Sequence, residues 1–181
     1  GLELKLPFFD IEKSTNFNSM KEILSNSQVT SGHNYLISSP DESQHWEVLP
    51  DIKESVSTLH STDSNGHIFH TNHCLGEKVK LYEEKMSINS TTVNRYNLLE
   101  KKLPLCHNLE DLKGVLMDHD EYPKSICSHY EGSSQDPSST CGGAVGSFAE
   151  NQYYFWRGCK VYDENFKDYC FSINEKSFKL S

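Results

Sequence analysis

The chain has 181 residues, is 35% hydrophobic and carries 9 Phe and 9 Tyr, enough for a folded domain with a sizeable core and too apolar for a disordered chain. A formal net charge of −9 argues against non-specific nucleic-acid binding, which depends on clustered Lys and Arg replacing counterions. No apolar run approaches the ~20 residues that span a bilayer, so no membrane partner is expected.

The chain opens on Gly1-Leu2-Glu3-Leu4, with no initiator Met, basic n-region or apolar h-region, the pattern of a fragment or processed subunit. Phe17, Met20, Ile23 and Leu24 share one helical face and predict a helix over 15–28, capped by Ser14 or Thr15. His33–Ser38, Gln44–Leu49 and Val56–His60 read as strands, punctuated by Pro40-Asp41 and Pro50-Asp51. Asp63-Ser64-Asn65-Gly66 is the strongest turn signal, and Ile68-Phe69-His70 beyond it predicts a fourth strand of an antiparallel meander. Val93, Tyr96, Leu99 and Leu103 predict a helix over 91–103, ended by Pro104. Leu109, Leu112, Val115 and Leu116 predict its hairpin partner over 109–117, with Asn108 and Asp111 as the capping signal. Gly132–Ser139 is a polar loop, and Cys141–Phe148, Tyr153–Arg157 and Tyr169–Ile173 read as strands. Segregated helix and strand blocks favour an α+β class, with helices layered on antiparallel sheet.

The residues richest in chemistry lie at Gly66-His67-Ile68-Phe69-His70-Thr71-Asn72-His73-Cys74-Leu75. With His60 they offer metal-ligand types. On a strand, however, His67 and His73 would share a face about 20 Å apart while His70 pointed away, so neither metal nor cofactor is expected. Cys74 and its neighbour His73 would also point apart on a strand. The other cysteines, Cys106, Cys127, Cys141, Cys159 and Cys170, form no Cys-x-x-Cys pair, which disfavours a zinc ribbon. All read as reduced, structural thiols. Arg95 reads from pattern as a surface residue, and Asp118-His119-Asp120-Glu121-Tyr122-Pro123 as a solvated acidic helix end.

Three stretches, in order, resemble the isopenicillin N acyltransferase-like family of cysteine N-terminal-nucleophile hydrolases. Gly66 to Leu75 looks like its Gly-…-His-Thr-Asn-His-Cys/Phe block. Asn94-Arg95 with Leu98-Leu99 looks like its Ser/Thr-x-x-Arg helix start, with Thr92 in place of the Ser. Asp118 to Cys127 looks like its Asp-x-x-x-x-Pro-x-Ser-Ile-Cys block. The resemblance implies an αββα sandwich, present here as its C-terminal part, with residues 1–181 belonging to one acyltransferase or hydrolase domain. It also implies an autoproteolytic precursor whose new N-terminal Cys is the nucleophile and whose α-amine is the general base, a pairing suited to neutral pH.

Cleavage of C–N bonds in small acyl-amides, or transfer from acyl-thioesters, would then pass through an acyl-enzyme thioester. Asn72 is implied as an oxyanion donor, Arg95 as a residue near the nucleophile, and His70, Thr71 and His73 as positioning residues of the motif. The nucleophile falls upstream of every matched block. The chain alone is therefore expected to be inactive and to need the N-terminal part of the same protein as partner. The alternative is a non-catalytic binding or structural domain of the same fold. The final Phe178–Ser181 is not a peroxisomal address, and the parent is read as cytoplasmic.

Overall fold

The computed structural model describes residues 14, 16–83, 90–129 and 139–172. It divides into two compact units, Gly1–Met86 and Ser87–Ser181. The chain's opening, positions 132–138 of the polar loop, Ile173 and the C-terminal residues lie outside the described residues.

In the first unit, helix α1 spans Phe17–Asn26. Its cap is Asn16, not the predicted Ser14 or Thr15. The Ser19 N–H donates to Asn16 Oδ1 at 2.9 Å, and the Asn16 N–H donates back to Ser19 Oγ at 3.3 Å, a reciprocal capping box. Asn16→Ala is expected to cost about 1 kcal/mol in urea unfolding, and an unchanged midpoint would deny the cap its role.

Strands β1 (His33–Ser38), β2 (Glu42–Val48) and β3 (Lys53–His60) form an antiparallel sheet in that order. β2 is central, and its residues 44–48 are all buried. Trp46 and Val48 meet Leu24 of α1 and Ile37 of β1 in the core. Side chains alternate along a strand, so His45 and Glu47 face the other way. That face is covered by the segment that follows β3.

The predicted fourth strand does not form: residues 66–75 are irregular. The residues that follow are held by side-chain carboxylates instead. The Cys74 N–H donates to Glu83 Oε1 at 2.8 Å, Leu75 N–H to Glu47 Oε1 at 2.8 Å, Gly76 N–H to Glu47 Oε2 at 2.9 Å and Lys78 N–H to Glu54 Oε2 at 3.2 Å. Carboxylates thus satisfy four backbone donors of residues 74–78. The predicted turn stands, with Asn65 at φ 60°.

In the second unit, α2 (Thr92–Lys102) runs into a 3-10 turn at Leu103–Leu105 that contains Pro104. Helix α3 (Leu109–Leu116) is capped by Asn108, whose side chain accepts the Asp111 N–H at 2.9 Å, as the sequence predicts. The acidic stretch after α3 is not simply solvated. Lys102 Nζ donates to Asp118 and Asp120 at 2.6 Å each, tying it to the end of α2.

Strands β4 (Gly142–Ser147), β5 (Gln152–Arg157) and β6 (Lys167–Ser172) form a second antiparallel sheet in sequence order. Lys113 of α3 pairs with Asp168 and lies over the Tyr154 ring, so α3 packs on one face of this sheet. Phe155, Tyr169 and Phe171 are about half exposed. The Phe155 and Phe171 rings meet edge-on and those of Tyr169 and Phe171 stack. The class is therefore α+β, built from helices and two small antiparallel sheets. Among the described residues no helix is long and apolar enough to cross a membrane.

Candidate functional site

The segment after β3 closes over β2 and lines a cavity of about 320 Å³ with His70, Asn72, His73, Cys74 and Glu47. Three of the five site residues expected from the sequence, His70, Asn72 and His73, thus share one wall. Thr71, itself buried, has its Oγ1 3.1 Å from His73 Nδ1, fixing that ring relative to the loop. Arg95 belongs to the second unit, in the first turn of α2, where its Nε donates to Thr91 Oγ1 at 3.2 Å.

Glu47 is the residue on which this wall hangs. Besides the Leu75 and Gly76 amides, its Oε1 lies 3.2 Å from His70 Nε2, and both side chains are almost wholly buried. His70 Nε2 is also 2.9 Å from the His73 carbonyl oxygen. A carbonyl can only accept, so Nε2 carries the proton and is shared between the two oxygens. One carboxylate therefore holds two backbone amides and one imidazole, and these three groups bracket Asn72.

The register also sets Glu47 directly opposite Glu54 across β2 and β3. Gly76 fits against this carboxylate pair because it has no side chain. A Cβ there would lie 2.4 Å from Glu54 Oε2 and 3.1 Å from Glu47 Oε2.

Burial and the nearby carboxylates set the electrostatics of the wall. Burial first, then the charges of Glu83 and Glu47, pushes the Cys74 thiol up to about 11. Cys74 keeps its proton at neutral pH and is not a thiolate nucleophile. Burial likewise lowers His73. Burial, with repulsion from His70 added, lowers His45 to about 4 against the pull of Glu47, so His45 is neutral at physiological pH. His45 is fully buried, its ring 4.6 Å from that of His70, and neither ring nitrogen has a hydrogen-bond partner among the described residues.

The strand-based case against a metal here does not apply, because residues 66–75 are not a strand. His45, Glu47 and His70 do bring one ligand atom each within 4.8 Å of one another. Glu47 and His70 are nonetheless engaged as a brace for the loop. Both Glu47 oxygens accept backbone amides, and the His70 nitrogen that faces them is a donor.

His45, Glu47 and Glu54 were not legible as site residues. In an alternating strand whose other face carries Trp46 and Val48, His45 and Glu47 read as the solvent side, and Glu54 precedes the stretch that reads as the next strand. What covers them arrives from residues 70–78, and no local pattern announces that. The sequence reading also left Cys127 and Cys159 without partners. In the second unit Cys127 Sγ lies 3.5 Å from His129 Nε2, and Cys159 Sγ lies 3.4 Å from His119 Nε2. The Cys127-x-His129 spacing was the available signal. No family model and no curated protein matches the chain.

Proposed function

We propose that this chain is part of a cysteine N-terminal-nucleophile acyltransferase or amide hydrolase, and that its Asn72 wall forms one side of the acyl site. The observation that carries the reading is the placement of Asn72. It lines a cavity on a loop whose backbone is fixed on the C-terminal side by a buried carboxylate. An uncharged amide donor on a fixed loop suits an oxyanion, which is stabilised best by donors set in place before charge develops. The three ordered sequence blocks point to the same chemistry.

The nucleophile in this reading is a cysteine N-terminal to the matched blocks, on the parent protein. Its thiol gives its proton to its own α-amine, and the sulfur attacks the acyl carbonyl. The tetrahedral oxyanion forms against Asn72. Collapse breaks the C–N bond, and the leaving amine takes the proton from the α-ammonium. Water or a second amine then attacks the thioester, releasing the acid or a new amide and restoring the thiol. Protonated Cys74 does not compete for the acyl group. His70, Thr71 and His73 act as positioning residues through the hydrogen bonds that hold the loop.

Support for a layered αββα arrangement comes from the second sheet, with α3 on one face and aromatic side chains exposed around Phe155, the kind of patch a facing sheet would cover. The general base gives the test. The parent's kcat/KM on a small acyl-amide is expected to rise with an apparent pKa near that of an α-amine, about 7.7–8.0, because the amine must be free to accept the thiol proton. A rate that does not change across that range, or no turnover of acyl-amides and acyl-thioesters, would remove this reading.

A further inference from the structure

We propose that His119, Cys127, His129 and Cys159 are the four ligands of a structural zinc ion in the second unit. The site is separate from the Asn72 wall and does not depend on the acyl-transfer reading.

Geometry is the first support. The four ligand atoms, two imidazole nitrogens and two thiol sulfurs, all lie within 4.8 Å of one another. His119 Nε2 and His129 Nε2 are 2.9 Å apart, Cys127 Sγ and His129 Nε2 3.5 Å, and Cys159 Sγ and His119 Nε2 3.4 Å. A tetrahedral zinc with Zn–N of about 2.05 Å and Zn–S of about 2.3 Å has N–N edges of about 3.3 Å, N–S edges of about 3.6 Å and an S–S edge of about 3.8 Å. The observed separations match this small polyhedron, slightly contracted. Hydrogen bonding alone is a poor explanation for it. The two imidazoles are nearly parallel, at 17°, with their nitrogens converging, and thiols are weak donors.

The surroundings are built to hold those atoms. Cys127 and Cys159 are 2% and 3% exposed. The Cys127 N–H donates to the Asp118 carbonyl at 2.9 Å, and the fully buried Ser125 donates its hydroxyl to the Cys127 carbonyl at 2.5 Å. Gly158, at φ 76°, turns the chain out of β5 and delivers Cys159. A Cβ at Gly158 would lie 2.0 Å from Asp163 Oδ2. The Val161 N–H points at Cys159 Sγ at 3.3 Å, the kind of contact that favours a thiolate. The Tyr162 ring covers both imidazoles, with centroid distances of 4.5 Å to His129 and 5.4 Å to His119.

The donor set selects the ion. Two thiolates and two imidazoles suit zinc and exclude the hard cations Mg²⁺ and Ca²⁺, which take oxygen. Four protein ligands leave no open position, so the ion is structural rather than catalytic. On binding, Zn²⁺ forms two Zn–S and two Zn–N bonds, and the two thiol protons pass to solvent. The ion joins the 118–129 segment, which follows α3, to the end of β5, and so fastens helix layer to sheet.

The test is elemental analysis of the protein purified without chelator and with any histidine tag removed. One zinc per chain is expected. Replacement by Co²⁺ should give a tetrahedral cobalt spectrum with thiolate-to-metal charge-transfer absorption. Cys127→Ser should lose the zinc, while Cys106→Ser should retain one equivalent. Should Cys127→Ser fold poorly, the unmodified protein still decides. Absence of zinc and of the cobalt charge-transfer band would overturn the assignment. So would a Cys127–Cys159 disulfide in the unreduced protein, or full zinc retention in Cys127→Ser.

Discussion

Asn72→Ala in the parent protein is expected to lower kcat by about 100-fold or more with little change in KM, because the lost amide contacts the oxygen only after it has become an oxyanion. Asn72→Asp should be at least as damaging, since a carboxylate would repel that charge where alanine merely fails to stabilise it. A purely structural Asn72 predicts something else: a shifted urea midpoint with turnover preserved per folded molecule. Loss of kcat at unchanged stability separates the two. An Asn72→Ala enzyme that turns over normally would take this residue out of the chemistry and leave the cavity wall without its proposed role.

Glu47→Ala is expected to destabilise the first unit by about 2–6 kcal/mol, since each backbone donor left without an acceptor costs roughly 1–3 kcal/mol. Two backbone amides, those of Leu75 and Gly76, lose their side-chain acceptor at once, while His70 Nε2 keeps the His73 carbonyl. Glu47→Gln keeps the shape but replaces one oxygen with an NH₂ group facing a backbone donor, so it should recover only part of the loss. Gly76→Ala strikes the same contact from the other side, forcing a methyl group toward the Glu54 carboxylate. Urea unfolding followed by Trp46 fluorescence in a Trp156→Phe background reports the first unit alone. A Glu47→Ala midpoint equal to that of the parent chain would show that the loop does not depend on the carboxylate.

The elements with strong local signals were legible. The apolar face of Phe17, Met20, Ile23 and Leu24 places α1, and the Asn108 cap and its leucines place α3, because 3.6-residue periodicity is a local property. β1 has the bounds that its composition implies. The Ile68–His70 strand failed for a physical reason. Its β-favouring side chains describe local preference, whereas the segment it leads into is held at residues 75–78 by the carboxylates of Glu47 and Glu54, more than a full strand away in sequence. The same failure undid the strand-based view of the histidines.

Asn72 reached the cavity wall through resemblance rather than pattern, since a lone Asn in a polar loop carries no periodic mark. Its brace, Glu47, was invisible because a glutamate on an alternating strand reads as solvent-facing until something covers it. The His119, Cys127, His129 and Cys159 group comes from the loop after α3 and the turn after β5. Its spacing matches no zinc-ribbon pattern, and only the tertiary fold brings it together.

Acyl transfer at this cavity wall is proposed to pass through a cysteine thioester. Mass spectrometry of acid-quenched parent protein during turnover of a slow acyl-thioester tests it most directly. One acyl group is expected, bound as a thioester to a cysteine at a mature N-terminus, discharged by hydroxylamine, and absent from Cys74, Cys106, Cys127, Cys141, Cys159 and Cys170. Turnover with no acyl-enzyme, or an adduct on any of those six cysteines, would contradict it.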